Sequence, residues 1–285
     1  MIPYPFPEAV PPSWEGTQPS SIGEPTFVRC WQPDGQARGA VVIAHGLFEH
    51  GGRYLHVAGR LVGRGYQVWA LDHYGHGRSA GPRGAIQHDD HYLDDLGLLI
   101  AQAAQSAGQK PVLLGHSMGG AIAARYAVRH PEVLAGLALS APALGVHASP
   151  LVIALGRLAS ALVPSATMPS SLRGPATHNP DWEAWKAADP LQHSRLTLRL
   201  ARFIVDAGAE ARAKAGALRL PVLLLLAGED TYVDNRGARD FFARLPDGVG
   251  TLREYPGFYH ELFNEVGRDR PLADLDAWLA GLITR

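Results

Sequence analysis

The hexapeptide Gly115-His116-Ser117-Met118-Gly119-Gly120 constrains this chain more than any other stretch. Pro111-Val112-Leu113-Leu114 runs into it, too short for a helix and long enough for a buried strand. Behind it, Ile122, Ala123, Tyr126 and Ala127 recur at helical spacing up to His130. A strand, a sharp turn and a helix follow one another, and in that context G-x-S-x-G carries chemical meaning. Gly115 and Gly119 let neighbouring backbone crowd close while Ser117 sits in a strained turn with its hydroxyl exposed. A serine hydroxyl is a poor nucleophile until a base takes its proton. The motif therefore predicts a histidine and an acid elsewhere in the chain.

The rest of the chain repeats the strand–helix rhythm. Ala40–Ala44 and Tyr66–Leu71 are continuous apolar runs, the pattern of strands buried on both faces. Thr26–Trp31, Leu134–Ser140, Val222–Ala227 and Thr251–Tyr255 read as further strands. Helices are predicted around Leu55–Val62, over Asp89–Ala107 and Arg236–Leu245, and from Pro271 onward. Such alternation implies a mostly parallel sheet with helices on both sides. The rhythm breaks at Pro142 and resumes near Pro221, and the roughly 75 residues between them are too many for a plain loop. Within that gap Leu151–Val163 is almost wholly apolar and Leu196–Ala207 is amphipathic, which predicts a helical cap. The expected organisation is a core over 24–144 and 218–285 with a cap inserted at 145–217. Residues 1–23, with six prolines in the first 20, read as an irregular arm on the surface.

A net charge of -1 gives no field to attract nucleic acid. The single cysteine, Cys30, cannot form an internal disulfide. Met-Ile-Pro-Tyr-Pro-Phe-Pro lacks the basic and apolar regions of a signal peptide, and no stretch reaches the roughly 18 apolar residues that span a bilayer. A soluble, cytoplasmic protein is the expectation. His88-Asp89-Asp90-His91 with Asp94 and Asp95 has the residue types of a metal cluster. Acids also belong in the first turn of a helix, where they offset its dipole, and nothing nearby completes a coordination shell, so no metal is expected.

In sheets of this kind reactive loops leave the carboxyl ends of the strands. Ser117, Asp230 and His260 all fall there. Of 13 histidines, His260 alone comes after the last strand and before the last helix. His45 and His116 lie in tight turns, where an imidazole organises its loop. Asp230 is two residues beyond Gly228 at a strand end, with Asp234 and Glu229 as the alternative acids. The chemistry this predicts is acyl transfer, with the developing oxyanion held by the backbone N–H groups of Met118 and Leu47.

His45 through Tyr54, Asp72 through Ser79, Gly115 through Gly120, Asp189-Pro190-Leu191 and Gly228 through Asp234 together resemble the monoacylglycerol lipase and lysophospholipase branch of the α/β-hydrolases. The likeness runs from about residue 24 to the C-terminus, and the order nucleophile, acid, base is the one that fold uses. The resemblance implies a serine hydrolase of single-chain lipid esters, needing no cofactor, with the acyl-binding tunnel in the cap. It also implies that Glu49 and Arg53 lie on the alcohol side of the site, and His116 is assigned to substrate binding with them. The same Glu49 and Arg53 read equally as an i, i+4 ion pair bracing a helix start. Phe263 stands where some relatives carry a second polar residue. Two other readings are a carboxylesterase for short acyl esters and a non-catalytic protein of the same fold that binds a small ligand. The apolar Leu151–Val163 segment predicts transient contact with a membrane or micelle surface, the alternative being packing inside the cap or in a dimer interface.

Overall fold

The apolar runs form the middle of one sheet in the computed structural model, which describes residues 2–170 and 172–283. The first part of the chain holds β1 (Trp14–Pro19), β2 (Pro25–Trp31), β3 (Gly39–Ala44), α1 (Leu55–Val62), β4 (Tyr66–Leu71) and α2 (His91–Ala107). Next come β5 (Val112–His116), α3 (Met118–Arg129) and β6 (Gly136–Ser140). An insertion follows with α4 (Pro150–Leu162), β7 (Thr167–Pro169), α5 (Pro180–Ala187), β8 (Arg195–Thr197) and α6 (Leu198–Lys214). The chain then re-enters the sheet with β9 (Val222–Ala227), α7 (Asn235–Ala243), β10 (Gly250–Tyr255) and α8 (Asp269–Ile283).

Among the described residues the strands line up as β1-β2-β4-β3-β5-β6-β9-β10. β2 is antiparallel to both of its neighbours and every other pair in this sheet is parallel. Successive side chains along a strand point to opposite faces, so each strand feeds two cores. Val42, Leu113 and Leu224 pack with Leu96, Leu99 and Ile122 of α2 and α3. Their neighbours Val41, Leu114 and Leu223 pack on the other side with Val57 and Leu61 of α1 and Leu275 and Leu279 of α8.

The insertion helices begin where the sequence supplies caps. The Ser149 side chain accepts from Val152 N–H, that of Asn179 from Asp181 and Trp182, and that of Thr197 from Leu200. Pro150 and Pro180 occupy first-turn positions, where a missing N–H costs nothing. α6 is tied into the core by Leu200, Phe203 and Ala207. α4 is different: Leu151, Leu155, Leu158 and Leu162 are 69, 56, 59 and 73% exposed, while its one buried residue is Ser160.

The N-terminal stretch departs from the irregular surface arm expected of it. Trp14–Pro19 is an edge strand paired with β2. Phe6 is buried and stacks on Trp182 with ring centroids 5.2 Å apart. Tyr4 donates its hydroxyl to the Arg53 carbonyl at 2.9 Å, and Glu8 pairs with Arg268. The arm lies so close to α1 that a Cβ at Gly59 would sit 2.0 Å from the Glu8 carbonyl oxygen. Prolines prevent a regular helix here without preventing burial. α8 also starts two residues before Pro271, at Asp269.

Candidate active site

β5 ends at His116, and Ser117 turns the chain into α3 with φ 54° and ψ -120°. A non-glycine residue with positive φ stores strain that the surroundings must hold. They do so by close packing: a Cβ at Gly119 would lie 2.0 Å from the Ala44 carbonyl oxygen, and one at Gly115 2.4 Å from that of Gly119.

Three strand ends then converge. His260 Nε2 lies 2.8 Å from Ser117 Oγ, and His260 Nδ1 lies 2.7 Å from Asp230 Oδ2. Asp230 Oδ1 accepts from the backbone N–H groups of Tyr232 and Val233 at 2.8 and 3.1 Å. Burial pulls the Asp230 carboxyl upward, but the facing His260 and those N–H groups outweigh it and hold the pKa below the usual range. Asp234 instead caps α7 and pairs with Arg236, and Glu229 is exposed. His116 is buried, donates Nδ1–H to the Ser140 carbonyl at 3.0 Å, and rests 4.9 Å from the His260 ring. Burial, then the neighbouring His260, keep its pKa low and the ring neutral.

The loop after β3 is fixed at each peptide. His45 Nδ1 donates to the Gly46 carbonyl at 2.7 Å while His45 Nε2 accepts from His73 N–H at 2.9 Å. Gly46 N–H donates to Glu49 Oε1, which also accepts from the Tyr54 hydroxyl at 2.7 Å. With the Gly46 carbonyl held by His45, the N–H of the same peptide, that of Leu47, is turned the opposite way. Phe48 follows with φ 69°. Met118 opens α3, where the first N–H groups have no partner inside the helix.

Glu49 and Arg53 face protein rather than open space. Arg53 donates through Nε and Nη2 to Asp189 Oδ2 at 3.3 and 3.2 Å and through Nη2 to Gln192 at 2.6 Å. The Glu49–Arg53 ion pair is present at 3.9 Å. His50 adds a third contact to Asp189, at 3.0 Å. Asp189 thus joins the insertion to the loop beside Ser117, and its carboxyl is held far below the ordinary range by His50 and Arg53 despite burial. Apart from the i, i+4 pair of Glu49 and Arg53, these partnerships, and those of Glu261 described below, escaped sequence reasoning because contact between distant loops leaves no periodic trace. Three of the four acids near His91 are likewise spoken for: Asp89 pairs with Arg202, Asp90 with Arg125 and Arg129, and Asp95 with His91. No three metal-ligating side chains gather as a group among the described residues. A cavity of about 300 Å³ opens between Leu144, Ile153, Arg212, Asp234 and Asp240, but Ser117, Asp230 and His260 do not line it.

A mostly parallel sheet with helices on both faces, carrying a serine on a strained strand–helix turn and a histidine between that serine and an aspartate, defines an α/β-hydrolase. The chain belongs to the family described as serine aminopeptidase, S33, whose model matches residues 35–267. It is 36% identical over 253 residues to a monoacylglycerol lipase of Mycolicibacterium smegmatis, covering 87% of this chain and 90% of that one. It is 29% identical over 265 residues to the monoglyceride lipase of Rattus norvegicus, covering 90 and 88%. The crystal structure of a monoacylglycerol lipase from Paleococcus ferrophilus superimposes with a TM-score of 0.81 at 30% identity, over 91% of this chain and 98% of that one.

Proposed function

We propose that the protein hydrolyses carboxylic esters of single-chain lipids, monoacylglycerols or lysophospholipids, through an acyl-enzyme on Ser117. The observation that carries this reading is the hydrogen-bonded run Asp230–His260–Ser117 in a chain 36% identical to a monoacylglycerol lipase. His260 takes the Ser117 proton as Oγ attacks the ester carbonyl, and Asp230 orients the imidazole and stabilises the cation that forms. The backbone N–H groups of Leu47 and Met118 receive the oxyanion, each contributing about 3 kcal/mol to the transition state. His260 then returns the proton to the leaving alcohol, and water, deprotonated by the same ring, releases the fatty acid. His116 borders the site beside the base, while Glu49 and Arg53 shape its alcohol side by bracing the wall that receives the head group.

The exposed leucines of α4 fit a peripheral role at a lipid surface. Leu151, Leu155, Leu158 and Leu162 follow one another at spacings of four, three and four, which lines them along one stripe. No helix among the described residues is long and apolar enough to cross a membrane. Such a stripe suits shallow contact with the aggregates in which single-chain lipids partition.

A hydrolysis panel tests the proposal: mono-, di- and triacylglycerols, lysophospholipids, short nitrophenyl esters and an aminoacyl anilide. The expected result is preference for long single-chain esters. Equal or better turnover of acetyl and butyryl esters would favour a general carboxylesterase, and no turnover of any substrate would overturn the reading.

A further inference from the structure

Helix α5 reaches the residue next to His260. Trp182 Nε1 donates to Glu261 Oε2 at 2.5 Å, and Lys186 Nζ, one turn further on, donates to Glu261 Oε1 at 3.2 Å. Asn264 Nδ2 gives Oε2 a second bond at 2.8 Å. The Glu261 backbone N–H donates to the Ala176 carbonyl at 2.9 Å, so the insertion holds both the peptide and the side chain of this residue. The grip is rigid on the far side. Trp182 is 0% exposed and stacks on Trp185 and Phe6 with centroids 5.0 and 5.2 Å away.

Acyl transfer gives this carboxylate no proton to move. It is nonetheless buried, and burial of a charge is costly unless its partners are close and well placed. Burial works against its ionisation, yet Lys186, Arg53 and the Trp182 N–H hold the carboxyl down at about 2. The segment from Pro256 to Glu261 lies between β10 and a short 3₁₀ turn and belongs to no strand, so the sheet does not fix His260 directly. The ring is held by Asp230 from the sheet side; the chain beyond it is held by Glu261 from the insertion side.

We propose that Glu261 is a positioning residue for His260. Through Trp182 and Lys186, helix α5 sets how the imidazole meets Ser117, so the insertion is part of the machinery that aligns the base. This rests on the reading of His260 as general base. A second fastening does not depend on Glu261: Thr177 donates to the Asn264 carbonyl at 3.1 Å, and His178 meets Glu265 at 2.9 Å.

The test compares Glu261→Gln, Trp182→Phe and His260→Gln with the unmodified protein on a short soluble nitrophenyl ester. Sites are titrated to completion with a fluorophosphonate, so that kcat refers only to folded, reactive protein. Misalignment of the base lowers kcat per titrated site about 10- to 100-fold in Glu261→Gln, with KM changed by less than about two-fold. Trp182→Phe removes the N–H donor together with part of the buried ring while leaving Glu261 in place, and moves kcat in the same direction, which keeps the test open if Glu261→Gln does not fold. An unchanged kcat per titrated site in both variants, whatever their melting temperatures, would make Glu261 a fastener and overturn the proposal. Undiminished turnover by His260→Gln would instead remove the reading of the base itself, a result distinguishable from the first.

Discussion

His45 and His73 are locked together through a single tautomer. The backbone N–H of His73 occupies His45 Nε2, so the ring proton must sit on Nδ1, where it holds the Gly46 carbonyl. His45 thereby orients the peptide that carries the Leu47 N–H. His45→Ala should lower kcat by about 10²- to 10³-fold, the loss that accompanies one missing oxyanion donor. His45→Asn, which can still donate from near the Nδ1 position, should recover part of it. Steady-state kinetics on one soluble ester, with circular dichroism to establish folding, gives the answer; equal activity in the two variants would count against this role.

Ser117→Ala should abolish both ester hydrolysis and covalent labelling by a fluorophosphonate. Asp230→Asn should lower kcat by about 10⁴-fold, because the imidazole loses the partner that fixes its tautomer. Asp234→Asn keeps a side-chain oxygen that can cap α7 and should leave kcat near its original value. The reverse ranking of the two aspartates would show that the wrong carboxylate faces the base.

Acid should destabilise the protein earlier than its carboxylates require. His45, His56, His73, His76 and His116 are buried, and burial lowers the pKa of each, that of His56 to about 3. Folded, these rings stay neutral; unfolded, each takes a proton below about pH 6.5. The unfolded state therefore binds more protons as pH falls through 6.5, and stability drops by about 1.4 kcal/mol per pH unit for each ring until its folded pKa is reached. Urea unfolding at pH 7.5, 6.5 and 5.5 should show the midpoint falling mainly over the lower interval. A midpoint constant to pH 5 would mean these rings can be protonated in place.

Replacing Leu155 and Leu158 by serine should leave the melting temperature and the cleavage of short esters unchanged, since both side chains are more than half exposed. Liposome binding and turnover of long-chain monoacylglycerol should both fall. A melting temperature lowered by several degrees, with all substrates affected alike, would identify the stripe as a packing surface.

Much of the fold follows from local pattern. Ala40–Ala44 and Val222–Ala227 are unbroken apolar runs, the pattern of a strand covered on both faces, and both are interior strands. Ser117 and Asp230 each follow such a run, whereas His260 follows β10, whose Thr251-Leu252-Arg253-Glu254-Tyr255 mixes apolar and charged residues. β1 was hidden because Trp-Glu-Gly-Thr-Gln-Pro carries a glycine and a proline and lacks strict alternation; its pairing with β2 makes it a strand. The contacts of Glu261 and Asp189, and the bond from Gly46 N–H to Glu49, were hidden for another reason. A carboxylate looks the same in sequence whether water, a helix dipole or a buried tryptophan N–H receives it, and only the fold chooses.

The N-terminal arm also bears on how the chain is completed during synthesis. Glu8 and Arg268 are separated by 260 positions, and Phe6 waits for Trp182. Residues made well before their partners thus find their place late. Until then Phe6 and Trp182 lack each other as cover, and the apolar surface they later bury is open to other chains. A tag or partner fused ahead of Tyr4 would act on this final docking step, far along the sequence from Ser117 and one tryptophan away from the loop of His260.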